Sequence, residues 1–199
     1  MPLHTGNWKQ NKVFEGKAYR VTVGAFSTPI QGGGAGTILD LDQPELALIV
    51  PAGVSIVPVS INVQCQTPLI AADNDECEIL VAVDRETAVA SGTSTAETIY
   101  NLRSVLSSTG VPSAITAKSA YTVDITVAPT LHEELARRVI VADVQGTPAN
   151  ALWGSLDLNY EPTINDAITG PATLLVYWGG TVATSGFCQA VWIEMQTDT

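Results

Sequence analysis

Two histidines in a chain of 199 residues set a low ceiling on the chemistry its side chains can perform. His132-Glu133-Glu134 has the opening of a helical zinc-hydrolase motif, but that motif needs a second imidazole at position 136, where Ala136 stands. His4 lies in the polar opening segment with no ligand cluster around it. A Ser-His-Asp triad would therefore have to use His132, and no G-x-S-x-G elbow accompanies it. The run Gln31-Gly32-Gly33-Gly34-Ala35-Gly36-Thr37 lacks the Lys-Ser/Thr pair that closes a phosphate-binding loop. It reads as a flexible connector or a subunit contact.

Carboxylates offer two further possibilities. Asp73, Asp75, Glu76 and Glu78 place oxygen ligands of the type a hard cation needs within six residues, yet the regular twelve-residue calcium loop is missing. Glu78 alternates with Ile79 as a solvent-facing strand residue does, so a solvated hairpin turn is the expected reading. Asp157 and Glu161 can be imagined as the acid and base of glycosidic cleavage. Sugar sites usually add exposed aromatic platforms, whereas Trp178 and Trp192 fall in apolar strands and are expected in the core or at an interface; Trp8 and Trp153 are left open. Cys65, Cys77 and Cys188 are odd in number and show no metal-binding spacing, which predicts reduced, partly buried thiols. The expectation is a protein that is not an enzyme and uses no cofactor or metal.

The elements that would position these residues are strands. Tyr19–Val23 alternates with period two. Glu45–Val50, Val54–Gln66, Cys77–Val83, Thr98–Leu106, Tyr121–Val127, Leu152–Tyr160, Ala172–Trp178 and Phe187–Met195 follow, separated by turn-rich links. Pro58 donates no ladder hydrogen bond, so Val54–Gln66 must lie at an edge or carry a bulge. Leu131, Leu135 and Val139 keep a helical spacing that runs into the strand-like Val139–Val141, and Leu131–Val144 is read as a short helical turn entering a strand. About nine strands and no strong long helix predict an all-β fold: an antiparallel β-sandwich, jelly-roll-like, with at most one short helix.

Only 15% of the residues are charged, against roughly 25% in ordinary soluble domains. Mean hydropathy is +0.22. So little charge covers a free monomer poorly, and a homo-oligomer is expected. Net charge is −11, which gives no electrostatic reason to approach phosphate backbones, so direct nucleic-acid binding is not expected. The start of the chain runs against this balance: Lys9, Lys12, Lys17 and Arg20 face only Glu15. Residues 1–20 are read as a basic N-terminal arm and 21–199 as a single sandwich domain. Met1–Arg20 has no apolar signal core, and Leu46–Val59 is broken by Pro51, Gly53 and Pro58. A soluble protein made in a reducing cytoplasm, without a membrane partner, is expected.

The stretch Glu45-Leu-Ala-Leu-Ile-Val-Pro-Ala-Gly-Val-Ser-Ile-Val-Pro-Val-Ser-Ile-Asn-Val63 resembles the virion structural proteins of tailed bacteriophages, small jelly-roll proteins that decorate or cement a capsid. Ala172–Trp178 and Ala190–Glu194 look similar to the last hairpin of such folds. The resemblance implies a trimer on the capsid surface that binds the major capsid protein and performs no reaction. On that reading Lys9, Lys12, Lys17 and Arg20 form the arm that reaches the partner, with Trp8 and Phe14 as apolar anchors. The competing expectation is a receptor- or carbohydrate-binding sandwich of a viral fibre or spike, with its site in the loops Gln31–Gly36 or Asn159–Asp166.

Overall fold

The structure is a computed structural model that describes residues 7–33, 39–66, 75–86, 92–103, 111–125, 128–142, 154–160, 167–180 and 184–196. One helix, α1 (Trp8–Phe14), precedes thirteen strands among these residues. Eight strands have five residues or more: β1 (Ala18–Val23), β3 (Leu46–Val50), β4 (Val54–Cys65), β5 (Asp75–Asp84), β9 (Glu133–Ala142), β10 (Ser155–Asn159), β12 (Ala172–Gly180) and β13 (Ser185–Gln196). The other five are short: β2 (Ile30–Gln31), β6 (Thr95–Ala96), β7 (Tyr100–Asn101), β8 (Thr116–Ser119) and β11 (Ile168–Thr169).

The eight long strands pair antiparallel as nested couples. The first meets the last, β1 with β13; then β3 meets β12, β4 meets β10 and β5 meets β9. Cross-pairing of β13 with β4 and of β12 with β5 assembles the couples into two sheets, ordered β10-β4-β13-β1-β7 and β6-β8-β3-β12-β5-β9. This is a long hairpin rolled over on itself, the jelly-roll path that the sequence predicts. One expected detail is corrected. β12 and β13 are not partners in a hairpin but lie in opposite sheets, β12 between β3 and β5 and β13 between β4 and β1.

Between the layers, Val21, Val23, Ile56, Ile61, Val63 and Trp192 meet Leu46, Leu48, Ile79, Val81, Leu174, Val176 and Trp178, all essentially inaccessible. Trp178 and Trp192 are core residues, as expected. Ile56 and Ile61 both point inward although they are five apart, a spacing that a regular strand cannot give. The reason is a bulge: Trp192 lies opposite Pro58 and Val191 opposite Ser60, so Val59 is the extra residue. Of the two sites expected for Pro58, the bulge is the one found, and β4 is an inner strand. On the far side of β4, β11 pairs with Ser55 and Ile56 while β10 begins pairing at Ser60. Pro58 thus sits in the gap, where no donor is asked of it.

Three segments depart from the sequence reading, the first being Thr98–Leu106, of which only Tyr100–Asn101 is a strand among the described residues. Tyr121–Ile125 is not a strand: Ile125 donates one backbone bond to Asp42 and Thr122 one to Thr93, without a ladder. Its apolar residues have another task, since Tyr121 and Ile125 pack with Leu39, Leu175 and Tyr177 over the outer face of the six-stranded sheet. That cover explains why every residue of β12 is buried. The region from Leu131 has no helical turn either. Leu131 packs on the outer cluster, Leu135 on the core, and Val139 is half exposed, so their even spacing does not mark one helix face. A bulge in β9 opposite Val81 and Ala82 puts Leu135 out of register and produces the mixture.

The core makes a direct prediction. Leu174→Ala, at a fully buried site, lowers unfolding free energy by about 3 kcal/mol. Val123→Ala, at a site more than half exposed, changes it by less than about 0.5 kcal/mol, as urea denaturation of the full chain will measure.

Candidate functional site

The residues assigned to a basic arm divide between α1 and β1. Asn7 caps α1 by accepting from the Lys9 amide, and the helix ends at Glu15. Its Val13 packs with Ala18, Val57, Ile193 and Met195 on the outer face of the seven-stranded sheet. The helix also carries Trp8, 42% exposed, and Phe14, 74% exposed. Lys12 pairs with Glu15 at 2.7 Å. The end of the expected arm belongs to the sandwich itself, because β1 begins at Ala18 and is paired along its whole length with β13. Arg20 projects from β1 over the ring of Tyr100, 5.9 Å from its centre, a cation–π contact at the edge of the sheet.

At the C-terminal end of the helix is a cavity of about 530 Å³. Lys12, Lys17, Tyr19, Pro112, Glu194 and Met195 contribute to its wall, so two of the six expected contact residues share one site. Trp8, Lys9 and Phe14 remain on the outer helix, and Arg20 stands apart on β1. The floor is built around Glu194, a nearly buried carboxylate that accepts from the Ser113 hydroxyl, from the Ala114 amide at 2.9 Å and from the Trp192 indole at 3.0 Å. Tyr19 stacks on Trp192, and burial, with the Glu194 charge adding to it, raises the Tyr19 hydroxyl above its ordinary range. Sequence reasoning passed over Glu194. Its signal was an acid two residues from Trp192 on an otherwise apolar strand.

The other candidate residues are structural joints. His132 accepts the Arg85 amide at Nδ1, at 3.2 Å, and its Nε2 lies 3.5 Å from Glu86. Glu133 binds the Arg85 guanidinium, and Asp84 accepts from the amides of Glu86 and Thr130. These bonds tie the end of β5 to the start of β9. Glu78 is not simply a solvent-facing strand residue, because it is mostly covered and bonded to Arg137 of β9. Asp73 lies outside the described residues, as do Glu161, Trp153 and His4. Asp157 accepts from Asn62 across β4 and β10. Among the described residues no group of three His, Cys, Asp or Glu is placed to hold a metal ion.

The glycine run is also more fixed than expected where it is described. A Cβ on Gly32 would lie 2.1 Å from the carbonyl oxygen of Trp178, so the backbone is pressed against β12 there and only glycine fits. Gly33 donates its amide to Glu45 at 2.5 Å, and Trp178 donates to the other Glu45 oxygen at 2.8 Å. The two loops named for a carbohydrate site leave the sandwich at different levels. Gln31 pairs with Ser185 at the start of β13, whereas Asn159 pairs with Ser60 midway along β4.

Burial raises the Glu45 carboxyl to about 8 despite the two amide bonds that favour its charged form. The folded chain therefore holds a proton that the unfolded chain releases near 4.5. Stability from this group is fully present below about pH 4.5, falls as the pH rises from there and is lost beyond about pH 8. Thermal melts between pH 5 and 8 will show this decline, and Glu45→Gln will flatten it while lowering stability throughout, since an amide NH2 then faces one of the two backbone donors.

Comparison with family models, with curated proteins and with solved structures finds no match to this chain.

Proposed function

We propose that the chain is a non-enzymatic structural subunit of a virion, which decorates or cements a tailed-phage capsid by binding its major capsid protein as a homo-oligomer. The jelly roll does not select this role by itself, because capsid proteins, lectins and cupins all use it. The observation that carries the reading is α1: a helix on the outer face of a sheet that leaves Trp8 and Phe14 exposed, with Lys9 next to Trp8 and Lys12 paired with Glu15. Exposed aromatics beside cations, on a chain whose net charge is −11, mark a local contact for an acidic and partly apolar partner. Low charge density supports the homo-oligomer, and its number, three, follows the resemblance of the Glu45–Val63 stretch. The place of action on this reading is the capsid surface.

Truncation must respect the fold. Removing residues 1–20 would take three residues from β1, whereas ending the deletion at Gly16 spares β1 and the bond from the Glu194 amide to the Lys17 carbonyl. Full-length chain is expected to show a mass in solution above that of a monomer and to be retained on tailed-phage capsids in many copies per particle. The Trp8→Ala/Phe14→Ala variant, with its circular dichroism unchanged, is expected to bind at least 30-fold more weakly, the effect of losing about 2 kcal/mol at an aromatic anchor. A monomer that binds glycans and is absent from particles would replace this reading with the carbohydrate-binding one.

A further inference from the structure

Cys65 ends β4 and Cys77 stands near the start of β5, so the two belong to facing sheets. Their Sγ atoms are 3.7 Å apart in the interior, and both residues are buried. The approach depends on Gly154, which accepts the Cys65 amide at its carbonyl. A Cβ at Gly154 would lie 2.5 Å from Cys77 Sγ and 3.3 Å from Cys65 Sγ, so the absence of a side chain leaves the space the two sulfurs occupy. Cys188 is the internal comparison: it is equally buried, but it sits further along the core on β13, opposite Val63.

We propose that Cys65 and Cys77 form an inter-sheet disulfide when the chain meets a peroxide. Immunoglobulin sandwiches bridge facing sheets in a comparable way. Here the sulfurs have to close from 3.7 Å to the bond length of about 2.05 Å. In the first step the Cys77 thiolate attacks one peroxide oxygen, the O–O bond breaks, and the departing oxygen takes a proton to leave as water. Cys77 is then a sulfenic acid. In the second step the Cys65 sulfur attacks the Cys77 sulfur and gives up its proton, the S–O bond breaks, and a second water leaves. Two thiols lose two electrons and one hydrogen peroxide becomes two waters. The order of attack has support in the surroundings: the contact with Cys65, together with Thr184, holds the Cys77 thiol below its ordinary range, while the contact with Cys77 and burial push Cys65 up.

The test uses the full chain, folded, with hydrogen peroxide as the probe. Before treatment, alkylation after denaturation should label all three cysteines. After treatment it should label only Cys188, the intact mass should be lower by about 2 Da, and peptide mapping without reductant should find Cys65 joined to Cys77. A thiol reductant should restore all three labels. Cys188→Ser should behave like the parent chain, and Cys65→Ser should leave Cys77 either labelled or oxidised beyond rescue, with no internal bridge. Persistent labelling of all three cysteines after prolonged treatment would overturn the proposal. So would a bridge involving Cys188, or one between two chains.

Discussion

The fold rests on one pairing: the last strand of the chain occupies the middle of a sheet. β13 lies between β1, near the start, and β4, in the first third, and it is bonded to β4 over nearly its whole length and to β1 over half of it. The seven-stranded sheet therefore has no continuous centre until the C-terminal residues arrive. Contacts of such separation cost loop-closure entropy before they return any burial, which makes assembly slow and strongly cooperative. β12 has the same position in the other sheet, between β3 and β5.

Once both central strands are in place, the remaining chain acts as cover and lock. Residues 85–132, between β5 and β9, supply β7 beside β1 and β8 beside β3, and they lay Tyr121 and Ile125 over the outer face of β12. Glu45 fastens the start of β3 to Trp178 and to the glycine run, converting a loop into part of the wall. Glu194 does the same at the far end of β13 for Ser113 and Ala114. Each of these acids satisfies backbone or hydroxyl donors that burial would otherwise leave bare. Their cost is the desolvation of a carboxyl, and at Glu45 that cost takes the form of a retained proton.

Much of the sandwich was legible in the sequence, because strands that face a core repeat their apolar residues every second position and turn residues separate them. Val54–Cys65 even announced its irregularity through Pro58. What remained hidden was whatever depends on contacts distant in sequence. Tyr121–Ile125 has strand-like residues but serves as a lid, and Leu131, Leu135 and Val139 mimic a helix because a β-bulge displaces one of them. Of the candidate contact residues, Lys9 and Lys12 stood out through local charge and Trp8 and Phe14 were added by the resemblance, and the structure adds that the four lie on one capped helix. Glu194 left only the trace of an acid near Trp192, and the cavity that Lys12 shares with Lys17 was invisible, since its members come from α1, β1, β13 and the 111–114 segment among others.

The two sides of the sandwich are finished differently. On one side both sheets end in short additions, β7 and β6, of two residues each. On the other, among the described residues, the six-stranded sheet ends in β9, ten residues long, with Val139 and Val141 half exposed. A long border of unpaired amides and carbonyls invites another strand, while a two-residue border gives it almost no purchase. Among the described residues β9 is therefore the longest border at which a further strand could add, with β10, of five residues, ending the other sheet on the same side.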